Sequence, residues 1–197
     1  MSFYSNTLIH QPNGAELDLT RPAPEAISFS YIATCLGNLN RYGGGTAFPY
    51  SVAQHSLNMA RCAARWYPND LWMTHSLQMA CLLHDAHEAY TGDITRPVQN
   101  TIRKYSAALI GAFLNIQSDV QEAIDQAACF ESCEEWDEIV NDLDRRICLD
   151  EVAVLHPGRE DIITELEPLG LKIERWREGE AERHWLNAFN FLQMALS

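Results

Sequence analysis

The chain lacks any apolar run long enough to cross a bilayer. Cations are scarce: 14 Lys and Arg stand against 27 Asp and Glu, a formal net charge of −13. So acidic a chain repels a polyanion unless its few cations cluster. That argues against long nucleic acid as a partner and leaves room for a small phosphorylated molecule, because one metal and one or two arginines can reverse the sign locally. No CxxC pair occurs among the cysteines at positions 35, 62, 81, 129, 133 and 148. Most of them lie in apolar helical stretches, where a thiol behaves as a small buried hydrophobe. Cys129 and Cys133 could face each other on one helix, but two thiols alone make a poor zinc site. Repeats, low-complexity tracts and linkers are also missing. The opening segment MSFYSNTLIHQPNG has neither a basic nor an apolar region, so no signal peptide is expected and the expected compartment is the cytoplasm.

What is present is an ordinary globular composition, 47% hydrophobic and 21% charged over 197 residues. That suits one domain over residues 1–197 with a substantial core. Pro12, Gly14, Pro22 and Pro24 make the first two dozen residues irregular. Helices are predicted from about Glu25 to Leu39, from the Ser51-Val-Ala-Gln54 capping box to about Trp66, and from about Thr74 to Tyr90, where Gly92 ends the run. Further helical patterns fall at roughly 98–115, 118–130, 132–155, 159–167 and 179–196. The last places Trp185, Phe189, Leu192 and Leu196 on one face. Leu171 to Trp176 reads as a short strand or extended segment. With strand signals otherwise weak, the fold class is all-α.

Ionisable residues interrupt three of these helices on their apolar sides. Leu77, Ala80 and Cys81 form one stripe, and the same period continues to His84 and Glu88. Val140, Asp144, Ile147, Cys148 and Glu151 share a face of a later helix. His55 lies just inside its own helix. Burying such groups is costly unless something pairs them, and a metal ion would do so. Three helices each offering a ligand is how bundles build metal sites in their cores.

The order His55, His84-Asp85, Asp144 resembles the H…HD…D signature of the HD superfamily of metal-dependent phosphohydrolases. The likeness extends to Ser51-Val-Ala-Gln-His-Ser56, to Leu83-His-Asp-Ala-His-Glu-Ala-Tyr-Thr-Gly-Asp93 and to Asn141-Asp-Leu-Asp144, and covers roughly residues 25–155. The chain looks most like bacterial 5′-deoxynucleotidases and phage dATP triphosphohydrolases. In such relatives a Trp follows the arginine before the first histidine motif, where this chain has Arg41-Tyr42. A Lys often follows the proline after Gly-Asp there, where this chain has Pro97-Val98-Gln99.

The resemblance implies an HD-domain helical bundle holding one divalent ion (Mn, Co, Zn, Fe, Ni or Mg) on His55, His84, Asp85 and Asp144. No histidine lies between Glu88 and Leu155 to hold a second, although a second ion could arrive with a triphosphate. Glu88 is expected to orient or deprotonate the attacking water and Asp93 to exchange a proton with the leaving oxygen. Arg41 is expected on the phosphate, with Tyr42 and Phe48 against base or sugar. Arg96, Arg103 and Lys104 are candidates for additional phosphate charge. His75 and His87 are expected away from the metal, and Arg145 and Arg146 on neighbouring carboxylates. The implied ligand is a small (deoxy)nucleotide, cleaved at the α-phosphorus of a dNTP or a 5′-dNMP, in a protein that could be a homo-oligomer. The alternative is a non-catalytic helical nucleotide-binding protein that keeps the metal for stability.

Overall fold

A computed structural model describes residues 7–159 and 165–197. Among the described residues eight α-helices carry the fold: α1 Phe29–Asn38, α2 Val52–Ala63, α3 Leu71–Leu83, α4 Glu88–Thr91, α5 Arg96–Tyr105, α6 Ala107–Ala127, α7 Glu134–Leu155 and α8 Glu180–Leu196. The fold class is all-α, as expected. The sheet is a small antiparallel hairpin, β1 Leu8–His10 with β2 Glu16–Asp18, in register Ile9 to Leu17. Strands of three residues are too short to show an alternating pattern, which is why this segment reads as irregular in sequence. The hairpin still matters to the core, since it delivers the fully buried Leu17.

Helix α2 is the centre of the bundle, buried on every residue from Val52 to Ala60 and packed against α1, α3, α7 and α8. Its start is set by Ser51, whose Oγ accepts from Gln54 N at 3.2 Å. The reciprocal half of the capping box is not made; the Gln54 side chain donates to Glu174 O at 2.7 Å instead. That contact ties Glu174 to α2, in a segment, 171–176, that belongs to no described helix or sheet. One apolar cluster joins α1, α2, α3, α6 and α8 around Leu82, Trp185 and Phe189, and a second joins α2, α3 and α7 around Leu77, Leu143 and Ile147.

Several helix boundaries differ from the sequence expectation: α1 begins at Phe29 instead of about Glu25, and the helix expected over 98–115 is split at Ser106 into α5 and α6. The helix expected to run through to Tyr90 stops at Leu83 and restarts as α4. Between them Ala86 N bonds Leu83 O, Glu88 N bonds Asp85 O and Ala89 N bonds Ala86 O. This tightened i to i+3 turn breaks the 3.6 period. No break occurs near 115–118; α6 runs unbroken from a cap at Ser106, whose Oγ accepts from Leu109 N at 3.2 Å. Burial of Ile110, Val120 and Ile124 on one side of α6 outweighs the small propensity cost of Asn115 and Ser118. The helix expected at 159–167 lies largely outside the described residues. No described helix is long and apolar enough to cross a membrane.

Candidate metal centre

His55 sits one turn into α2 and is completely buried. Its Nδ1 lies 2.6 Å from Glu151 Oε1, so the ring donates there. Its Nε2 lies 3.2 Å from Asp144 Oδ1 and 4.0 Å from Asp85 Oδ2 without making a hydrogen bond. His84 caps the end of α3 and its Nδ1 donates to Cys81 O at 2.8 Å. Its Nε2 is also buried without a hydrogen bond, 3.0 Å from Asp85 Oδ2. The two rings are 5.3 Å apart. Ligand atoms from His55, His84 and Asp144 all lie within 4.8 Å of one another, so the group could hold a metal ion. Asp85, on the tightened turn after Leu83, stands outside that three-residue group with its Oδ2 beside the His84 ring.

Two buried imidazole nitrogens facing two carboxylates need a positive charge between them, supplied by protons or by a cation. Arg41 brings one such charge to the group. Burial and Arg41 pull the His55 imidazolium down, yet Glu151 and Asp144 outweigh both and lift it to about 9. Burial raises Asp85 and Asp144, but their histidine and arginine neighbours hold both below the ordinary carboxylate range.

Arg41 reaches across this group. Its guanidinium lies 3.5 Å from Asp85 Oδ2, 3.7 Å from Asp144 Oδ1 and 3.3 Å from Glu151 Oε2. Tyr42 is held at φ 59° and its hydroxyl donates to Glu151 Oε2 at 2.6 Å. Its ring meets His156 edge-on and packs with Tyr50, Leu155 and Ile173, as does Phe48. The side chain expected against base or sugar thus has its hydroxyl on Glu151. Glu88 opens α4 with Oε2 buried and unbonded. Burial, then Asp85 and Asp93, push its carboxyl well up; a cation among the ligands would pull it back. Asp93 follows Gly92, whose φ of 79° turns the chain back toward the site. Burial raises Asp93 as well.

A cleft of about 490 Å³ opens over His84, Asp85 and Asp144, with Gln121, Asp125, Asp137 and Arg96 among its walls. An adjoining one of about 470 Å³ lies between Arg96, Glu138, Asn141, Asp144 and Arg145. Arg103 and Lys104 are exposed on α5, with Arg103 bonded to Asn100. His87 bonds Gln121, and His75 stands against Phe191. Arg145 and Arg146 pair with Asp142.

Glu151 and Cys148 are the residues that sequence reasoning left without a role at the site. Cys148 Sγ lies 3.4 Å from Arg41 Nη2. The signal was present, since both share the helical face of Asp144, but a face does not say which neighbour it meets.

Residues 44–145, just over half the chain, match the family profile described as HD domain. The matched segment contains His55, His84, Asp85, Glu88, Asp93 and Asp144, and leaves out Arg41, Tyr42 and Glu151. Over 96 residues the chain is 38% identical to an uncharacterized protein of Rhodobacter capsulatus, covering 47% of this chain and 46% of that one. The alignment thus spans about half the length of each protein.

Proposed function

Because this chain belongs to the HD-domain family, we propose that it is a metal-dependent phosphohydrolase of nucleotides, with His55, His84, Asp85 and Asp144 as ligands to one divalent ion. One observation carries the reading: two buried imidazole nitrogens without hydrogen bonds stand with an Asp144 oxygen within 4.8 Å of one another, and Asp85 Oδ2 lies 3.0 Å from His84 and 4.0 Å from His55. The donor set of two nitrogens and two oxygens suits a borderline divalent cation and does not select one. Such an ion supplies Lewis acidity toward a phosphoryl oxygen and an acidified water.

The chain's own groups divide the remaining work. Glu88, three residues beyond Asp85 and free of hydrogen bonds at Oε2, takes the proton of the attacking water. Asp93, partly buried beside it, returns a proton to the leaving oxygen. Arg41, beside Asp85, offers its fork to non-bridging oxygens, and Arg96 does so from the wall of the cleft.

The charge of the cleft favours a monophosphate. Of the four cations considered for a triphosphate, Arg41 is already shared among three carboxylates. Arg103 and Lys104 do not line either cleft, which leaves Arg96 with Arg145 next door. Facing them are Asp125, Asp137 and Glu138. Extra phosphate charge would meet acidic walls at low positive potential. We therefore read the substrate as a 5′-nucleoside monophosphate. A preference for 2′-deoxynucleotides is part of this reading, with Tyr42 and Phe48 packing on the same apolar cluster near the Arg41 segment.

The test is a panel of all dNMPs, NMPs and dNTPs with Mn, Co, Zn, Ni, Fe and Mg, with products identified. Release of inorganic phosphate from monophosphates is expected. Release of triphosphate from dNTPs would move the reading to a triphosphohydrolase. Bound metal without turnover on any member would favour the metal-stabilised binding protein.

A further inference from the structure

Glu151 lies seven residues after Asp144 on α7 and is completely buried. A buried carboxylate is expensive, and an apolar residue of similar volume would serve packing better. Here each oxygen is engaged. Oε1 takes the His55 Nδ1 proton at 2.6 Å. Oε2 takes the Tyr42 hydroxyl at 2.6 Å and stands 3.3 Å from Arg41 Nε. The carboxylate thus joins α2, α7 and the Arg41–Gly44 loop through polar contacts.

The two histidines of the site solve one problem in different ways. A neutral imidazole offers a lone pair only at the nitrogen without hydrogen, so the other nitrogen must have an acceptor. His84 stands at the end of α3, where backbone carbonyls lack intrahelical partners, and uses Cys81 O. His55 stands near the start of α2, where carbonyls are committed to the helix; Ser51 O, for example, accepts from His55 N itself. An acceptor for its Nδ1 has to come from another element, and Glu151 is that acceptor.

We propose that Glu151 is a positioning residue for the metal: it fixes His55 in the Nδ1–H form, so that Nε2 faces Asp144 and Asp85, and anchors Arg41 and Tyr42 to the same carboxylate. The inference rests on the reading of His55 as a metal ligand. An anionic acceptor at 2.6 Å also makes His55 a stronger donor to a cation than a ring bonded to water would be. The role needs no contact between Glu151 and substrate.

The test uses the full chain and Zn²⁺ or Co²⁺ affinity measured by chelator competition. Glu151→Gln keeps the volume but presents an amide, which cannot satisfy His55, Tyr42 and Arg41 together. Its apparent Kd is expected to rise about ten- to a hundredfold, with a changed Co²⁺ absorption spectrum. His55→Ala should also weaken binding, and adding Glu151→Gln to it should cost little more, because the group Glu151 positions is gone. Wild-type affinity in Glu151→Gln would overturn the proposal, as would losses that multiply in full in the double variant. Wild-type affinity in His55→Ala would instead remove the metal reading beneath it. Should Glu151→Gln not fold, ring-nitrogen NMR of the zinc-loaded wild type decides. His55 is expected to carry its proton on Nδ1 and ligate through Nε2, and the opposite tautomer would overturn the proposal.

Discussion

Asp144→Asn isolates the metal from everything else the site does. The substitution keeps the shape of a side chain whose Oδ1 lies 3.2 Å from His55 Nε2 and 3.7 Å from Arg41. It removes one carboxylate of the proposed ligand set and leaves both imidazoles in place. In the wild type, an ion held at a hundred times its Kd stabilises the native state by about 2.7 kcal/mol. For a domain of this size, 1 kcal/mol moves Tm by about 2–4 °C, so Mn²⁺ or Zn²⁺ should raise the wild-type Tm by about 5–11 °C. The metal-free variant will have its own Tm, since Asp144 also faces two cationic groups. The informative quantity is therefore the metal-induced increment, from which that baseline cancels. At the same ion concentration the increment in Asp144→Asn should fall to within about 2 °C of zero, which corresponds to occupancy of Kd order or weaker. Differential scanning fluorimetry with and without the ion, and with a chelator control, reads it directly. A full increment in the variant would refute Asp144 as a ligand, and no increment in the wild type would refute the site.

Glu88→Gln should keep the metal increment intact while slowing turnover of the best substrate at least about a hundredfold, the scale of general acid–base help; an unchanged kcat would take Glu88 out of the mechanism. Gly37→Ala should destabilise the protein by about 1–2 kcal/mol in urea unfolding despite the better helix propensity of Ala. A Cβ at that position would stand 3.0 Å from Glu182 Cβ and 3.2 Å from its backbone, where α1 crosses α8, so a more stable variant would contradict that crossing. Asp125 lies on the cleft wall with its carboxyl raised to about 6, chiefly by burial and then by Asp137 and Glu122 against the Gln121 hydrogen bond. Because its folded pKa lies above the ordinary 3.8, the folded state holds this proton more tightly, and the contribution to stability falls as pH rises from about 4 to about 6. Asp125→Asn should therefore gain stability relative to wild type on going from pH 4 to pH 7; a pH-independent difference would show that the carboxyl is not held out of water.

The helical class and the three polar intrusions were legible along the chain because both depend on local period. An apolar stripe that runs into His84, and another that runs into Asp144, announce a buried polar meeting whatever the fold. Asp85 and the neighbours of Glu151 were not legible in that way. Asp85 reaches the His84 ring only because the helix tightens into an i to i+3 turn after Leu83, and no period predicts a break in itself. The β1–β2 hairpin was hidden for a related reason: three residues per strand leave too little alternation to read.

What the sequence determined alone was a set of chemical demands: ionisable groups on apolar faces and an excess of acid. Which group answers which demand was decided by tertiary structure, because it depends on distances between elements remote in the chain. Tyr42, free in sequence terms to stack on a base, is tied at φ 59° with its hydroxyl on a residue 109 positions away. His55 needed an acceptor that its own helix could not give, since the carbonyls near it are spent on helical hydrogen bonds. That acceptor came from α7, and only the packing of α7 against α2 could show that Glu151 is in reach.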